Sequence, residues 1–311
     1  MSAENKPLVW LITGSSSGFG TSLTFIALRA GHKVIATSRN PSKTPELVKQ
    51  IEGLGGIWLT LDVTESPEVL QKVVAEGTKK FGRIDVLANV AGMSIMGALE
   101  DFSPKEAQLI FDTNFFGPMK LTQAVLPQMR ARKSGTIVNF SSGAGINPQV
   151  TMGMYAATKF ALEGFSQGLV QEVAPFNIRV LIVQPGPFTT NMAIAGTFTE
   201  KEMDEEYYAT AMGKFIDVFK GDPGEWKTPN DVEKGCQAVF EVVTRTGRGK
   251  GKEEHLRLLL SSEVAQRALD QNAKIKAGYD AFRDVWENTK HDGGVSKSYM
   301  DLQREKGLVQ K

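Results

Sequence analysis

Leu8-Val9-Trp10-Leu11-Ile12-Thr13-Gly14-Ser15-Ser16-Ser17-Gly18-Phe19-Gly20 is an apolar run that passes straight into a glycine-rich turn. A short β-prone run bounded by glycine reads as a buried strand, and residues 21–30 after it carry a helical pattern. Glycines at such a turn let the backbone bend tightly and approach a pyrophosphate, whose charge then sits on the helix N-terminus. The spacing is G-x-x-x-G-x-G rather than G-x-G-x-x-G, so the motif alone does not separate a phosphate loop from a plain strand-to-helix connection. Its position does. It follows the first strand, where a doubly wound sheet binds a dinucleotide, and this makes Gly14, Ser16, Ser17, Gly18, Phe19 and Gly20 candidate cofactor residues.

Further strand-like runs lie at 33–37, 57–61, 86–89, 136–141 and 179–184. Their near-continuous hydrophobicity suits strands covered on both faces, as in a parallel sheet. Amphipathic stretches between them, such as 67–81 and 103–132, are long enough for crossover helices. The expected fold class is α/β, a doubly wound parallel sheet in one domain over residues 7–260, followed by a C-terminal helical extension and tail over 261–311. The pattern at Val264, Ala268, Ile275, Tyr279, Phe282 and Trp286 predicts a helical face that packs on the body or on a second subunit.

Composition narrows the function classes. With 36 basic and 35 acidic residues the net charge is +1, which gives no bulk attraction to nucleic acid or an anionic membrane. Cys236 is the only cysteine, so no internal disulfide forms and a reducing compartment fits. His32, His255 and His291 show no ligand spacing, and no metal site is expected. The short polar start and the absence of a long apolar run point to a cytoplasmic protein with no membrane span.

The strand ends carry the chemistry. Ser38 lies 18 residues beyond Gly20, where a carboxylate would grip the adenosine ribose of NAD; here a serine is followed by Arg39. A guanidinium at that place favours a 2′-phosphate, so Ser38 and Arg39 predict NADP(H). Asp62 and Val63 end the third strand within reach of an adenine, or Asp62 caps the next helix with Thr64. Asn89, Ala91 and Gly92 end the fourth and would pass close to the ribose and nicotinamide. After the sixth, Pro185 and Gly186 fix a turn that brings Phe188 and Thr190 toward the cofactor.

Tyr155 and Lys159 stand four apart, on one helical face, thirteen residues beyond Ser142 at a strand end. A tyrosine of pKa ~10 exchanges its proton poorly near neutrality, and a neighbouring ammonium that lowered it by ~3 units would supply roughly 4 kcal/mol. Together, Thr13-Gly14 to Gly20, Asn89-x-Ala91-Gly92, Asn114, Ser142, Tyr155-x-x-x-Lys159 and Pro185-Gly186 resemble the short-chain dehydrogenase/reductase family over about residues 7–245. Leu99-Glu-Asp-Phe, Leu126-Pro-Gln-Met-Arg and Phe160-Ala-Leu-Glu-Gly resemble its 17β-hydroxysteroid and retinol dehydrogenase-like branch.

The resemblance implies a Rossmann fold and hydride transfer between NADP(H) and the carbonyl or hydroxyl carbon of a small hydrophobic substrate. It assigns Tyr155 as the proton donor, Ser142 as the group holding the reacting oxygen, Lys159 as the modulator of Tyr155 and ligand of the nicotinamide ribose, and Asn114 as the holder of a relay water. It also implies a substrate lid near 191–231, bearing Met192, Phe198, Met203, Tyr207, Tyr208, Met212, Phe215, Phe219 and Trp226, with Met93, Ser94, Met96 and Met154 beside the pocket. A homodimer or homotetramer through the helices near 103–132 and 152–174 is the corresponding expectation. Val90 stands where the family often has a second asparagine, and Thr158 where serine is common. Two alternatives stand beside this reading: a non-redox or cofactor-recycling enzyme of the same fold, and an NADP(H)-binding regulatory protein.

Overall fold

The computed structural model describes residues 7–190, 197–221, 228–289 and 298–307. Seven parallel strands form one sheet in the order β3-β2-β1-β4-β5-β6-β7. They are β1 (Val9–Ile12), β2 (Lys33–Ser38), β3 (Ile57–Thr60), β4 (Val86–Asn89), β5 (Gly135–Phe140), β6 (Ile178–Gln184) and β7 (Arg257–Leu259). The direction of strand addition reverses between β1 and β4, and a crevice outside the carboxyl ends of those two strands is the expected ligand site of such a sheet.

Both faces are covered, and the two-residue period of the strands explains how. Trp10 and Ile12 of β1 point into one core cluster, with Leu23, Ile26, Val239 and Phe240. Val9 and Leu11 point into the other, with Leu70, Leu121, Val125 and Leu169. Helices α1 (Gly18–Arg29), α2 (Pro45–Gly53), α3 (Pro67–Phe81), α4 (Pro104–Phe111), α5 (Gly117–Arg132) and α6 (Gly153–Val173) alternate with the strands, and helix Val232–Thr244 packs beside α1. α3 has Pro67 in its first turn and ends at Gly82 in the left-handed region, the start and stop that its sequence advertises.

The expected helical stretch over 103–132 runs unbroken from Pro104 to Arg132, but not as α-helix throughout. α4 starts on a Ser103–Glu106 capping box, and a π turn over Asp112–Phe116 separates it from α5. Such turns are rare and recur at functional sites. This one carries Asn114.

Two compact units partition the chain, residues 1–268 and 269–311. The helix Ser262–Ala281 begins in the first, where Val264 is fully buried. Ile275, Tyr279, Phe282 and Trp286, in the second unit, are exposed in the single chain. Tyr279 stacks on Trp286 with ring centroids 4.7 Å apart, and Arg283 lies over both rings.

Candidate active site

The glycine-rich turn is held from below. Ser15 is fully buried; its hydroxyl donates to the Ile12 carbonyl (3.0 Å) and accepts from the Thr37 amide (3.3 Å), which ties the turn to β2. Gly18 adopts φ +54°, and a Cβ on Gly20 would stand 2.1 Å from the Gly14 carbonyl oxygen, so neither position accommodates a side chain without strain. Ser17 precedes α1 without a side-chain cap, and the first turn carries no acidic residue. Its backbone N–H groups and the positive end of its dipole therefore suit an anion. Thr13 closes the crevice between β1 and β4, its hydroxyl accepting from the amides of Val90 (2.9 Å) and Ala91 (3.0 Å).

Ser142, Tyr155 and Lys159 converge one strand further on. Ser142 caps a short 3-10 turn, Gly143–Gly145, and its hydroxyl accepts from the Ala144 amide (3.1 Å). Tyr155 and Lys159 are buried on α6, with the Lys159 ammonium 5.5 Å from the tyrosine ring centroid. Burial pushes the Tyr155 phenol above its usual value, against a hydrogen-bond contribution from Ser142 that lowers it. The Lys159 ammonium donates to the Phe140 carbonyl (2.8 Å). Burial brings Lys159 itself down to about 8, with the charge of Glu163 acting in the opposite sense.

Asn114 is fully buried and bound to the loop after β4. Its Oδ1 accepts from the Met93 amide (2.9 Å), while Nδ2 donates to the Met93 carbonyl (2.8 Å) and to Thr158 Oγ1 (3.1 Å). Thr158 donates in turn to the Tyr155 carbonyl (2.7 Å). Thr158, standing where serine is common, is thus the link between Asn114 and the helix of Tyr155. Sequence could have signalled it only through its place before Lys159.

The remaining candidates divide. Thr190 comes to the glycine turn, with its Cβ 3.4 Å from where a Gly18 side chain would begin. The Pro185 carbonyl accepts from the Gly143 amide (2.9 Å), so the turn at Pro185 and Gly186 braces that of Ser142. Ala91 abuts Gly14, and Gly92 follows it half-buried. Phe19 and Phe188 face inward, edge to face at 4.9 Å, and support the turn from the core. Asn89 donates from Nδ2 to Asn139 (2.8 Å), and its buried Oδ1 has no partner.

The Ser38 hydroxyl is buried and accepts from Trp58 Nε1 (3.2 Å), and Arg39 beside it is exposed. Asp62 Oδ1 accepts from the amide and hydroxyl of Thr64, the local capping arrangement. Val63 is buried against Gly117 as part of the core.

Residues 8–201 match the family of short chain dehydrogenases. The chain belongs to that family. It is 40% identical over 241 residues to 3-ketodihydrosphingosine reductase of Bacteroides thetaiotaomicron, covering 77% of this chain and 85% of that protein. Bovine retinol dehydrogenase 8 is 35% identical over 250 residues, 78% of each chain, in keeping with a retinol dehydrogenase-like branch. The crystal structure of a short-chain dehydrogenase from Streptomyces avermitilis superimposes with a TM-score of 0.81 at 35% identity, covering 92% of this chain and all of that one. The protein is accordingly an oxidoreductase of this family, and solved structures that share its fold are complexes with NAD and with NADP. The uncapped N-terminus of α1, the side-chain-free positions 18 and 20 and the unpartnered Asn89 oxygen fit such a group.

Around Tyr155 this short-chain dehydrogenase packs Ile95, Ile110, Ala144 and Ala156, with the partly buried Met93, Phe102, Phe111, Met152 and Met154. A backbone bridge joins Met96 to Phe198: the Met96 amide donates to the Thr197 carbonyl (2.8 Å), and the Thr199 amide to the Met96 carbonyl (3.0 Å). Lys201 pairs with the buried Asp101 at 2.6 Å, and the Glu200 amide donates to Glu106 (2.8 Å). Ile216 is buried, Met203, Met212, Phe215 and Phe219 are half-buried, and Tyr207 and Tyr208 are exposed. Met192 and Trp226 lie outside the described residues.

Proposed function

We propose that the protein is an NADPH-dependent carbonyl reductase, or the corresponding alcohol dehydrogenase, for a hydrophobic substrate. The observation that carries this reading is the convergence of Ser142, Tyr155 and Lys159 inside an apolar, methionine-rich cluster. A bound nicotinamide supplies or accepts the hydride. Tyr155, held as the neutral phenol by burial, has the proton on oxygen that carbonyl reduction consumes. The Ser142 hydroxyl holds the reacting oxygen and stabilises charge as it develops there. Lys159, anchored on the Phe140 carbonyl, keeps a cation beneath the tyrosine and within reach of a ribose hydroxyl. Asn114 and Thr158 hold the Met93 loop and the Tyr155 backbone in register.

Arg39 supports NADPH over NADH. It is an exposed cation at the end of β2, it makes no ion pair among the described residues, and no carboxylate stands beside it to bind a ribose 2′-hydroxyl. Methionine and phenylalanine side chains around Tyr155 favour an apolar carbonyl compound. Two relatives are named for retinol and for 3-ketodihydrosphingosine, which agrees with an apolar skeleton bearing one alcohol or ketone. A homodimer through α5 and α6, with Phe160 and Leu109 exposed on neighbouring helices, and a cytoplasmic location complete the proposal.

The experiment is steady-state turnover of apolar ketones and aldehydes with NADPH and with NADH, beside titration of each cofactor. Tyr155→Phe is expected to bind NADPH as the wild type does and to lose at least ~100-fold in kcat. Near-normal turnover by that variant would overturn the mechanism.

A further inference from the structure

The buried charge nearest the site belongs to a residue with no role in the reaction described above. Glu163 lies one turn after Lys159 on α6, with a side chain 6% exposed. Its Oε1 accepts from Ser141 Oγ (2.6 Å) at the end of β5 and from Gln184 Nε2 (2.8 Å) at the end of β6. Its Oε2 pairs with Arg257 of β7 at 3.4 Å. Ser141 precedes Ser142, and Gln184 precedes the Pro185 whose carbonyl holds Gly143. A Cβ on Gly145, in the Ser142 turn, would stand 2.6 Å from Glu163 Oε1, so the turn is built around the carboxylate.

We propose that Glu163 is the positioning residue of this site, its carboxylate pinning the strand ends that carry Ser142 to the helix that carries Tyr155 and Lys159. The assignment rests on the functional reading given above. A buried carboxylate with three donors is a strong local restraint, because each hydrogen bond to a charged group is worth more than a neutral one. The same charge reaches Lys159, whose proton it helps retain. Tyr155 and Glu163 are the titratable neighbours of Lys159 on α6, and Arg257 on β7 opposes it through Glu163. β5, β6 and the Ser142 turn present neutral groups there: the Phe140 carbonyl, Ser141, Ser142 and Gln184. On the π turn and α4, Asp112 is bonded to Gln108, and Glu106 to Ser103 and the Glu200 amide.

The test compares wild type, Glu163→Gln and Arg257→Gln as full-length protein. The readouts are the titration of 13C-labelled Lys159, assigned against Lys159→Met, and the pH profile of kcat. Glu163→Gln removes the attraction and should lower the Lys159 midpoint by about one pH unit or more, with the alkaline limb of kcat following it and kcat falling about tenfold. Arg257→Gln removes the opposing cation at the sheet edge and should move both in the other direction. A midpoint unmoved in Glu163→Gln would overturn the proposal, whatever happens to stability. Should that variant fail to fold, the half-exposed Arg257→Gln decides: an upward shift supports the link and no shift overturns it. Absence of turnover in the wild type, with these titration shifts present, would count against the proposed reaction and not against the link.

Discussion

Replacing Lys159 by methionine should make the folded protein less sensitive to alkaline pH, and the size of the effect follows from burial. Burial brings the Lys159 ammonium from 10.5 to about 8. At ~1.4 kcal/mol per pH unit, that interval is a penalty of roughly 3 kcal/mol on the protonated folded state. Below pH 8 both folded and unfolded chains hold the proton and the whole penalty is present. Between about 8 and 10.5 the unfolded chain holds more protons than the folded one, so wild-type stability from this group rises with pH.

Methionine fills a similar volume and carries no charge. It also leaves the Phe140 carbonyl without its donor, at about 1–3 kcal/mol independent of pH. The two terms nearly offset at pH 7, where Lys159→Met should match or modestly exceed the wild type. By pH 10 the wild type should have gained about 2–3 kcal/mol relative to the variant. Urea unfolding of both proteins at the two pH values measures that difference and cancels the other lysines and tyrosines. A difference that stays constant with pH would refute the reasoning.

Two other substitutions test separate parts of the site. Arg39→Ala removes an exposed cation and should leave unfolding unchanged while lowering the kcat/KM preference for NADPH over NADH about tenfold or more, read from paired cofactor kinetics. Thr158→Val strands the Asn114 amide N–H in a fully buried place and should cost about 1–3 kcal/mol by urea unfolding together with a loss of turnover, whereas Thr158→Ser should retain most of both.

The sheet was legible because its strands are bounded by their own punctuation. Residues 86–89 and 67–81 coincide with β4 and α3, the first a short apolar run and the second flanked by Pro67 and Gly82. The other strands differ from expectation by a residue or two at their ends. The π turn was not legible, because Asp112-Thr113-Asn114-Phe115-Phe116 reads as ordinary helix until Met93 and Thr158 claim the Asn114 amide from elsewhere in the chain. The partner of Ser38 was not legible either: its hydroxyl accepts from Trp58, 20 residues away, which only strand pairing brings near. Tyr155 and Lys159 were found by their spacing, but the balance of forces on them was not. Burial is the first force acting on the Tyr155 phenol, and burial belongs to the packed cluster, which a helical wheel does not show.

The bridge between Met96 and Phe198 makes the loop after β4 and the segment at 197–199 a single exchangeable part. A Cβ on Gly97 would stand 2.5 Å from the Thr199 side chain, so the two segments constrain one another residue by residue. A chimera that imports only the later segment from a relative would inherit a mismatched seam at Gly97. Recombination that moves 93–97 and 197–199 together would keep the seam closed, and that pair of segments is the natural unit of exchange.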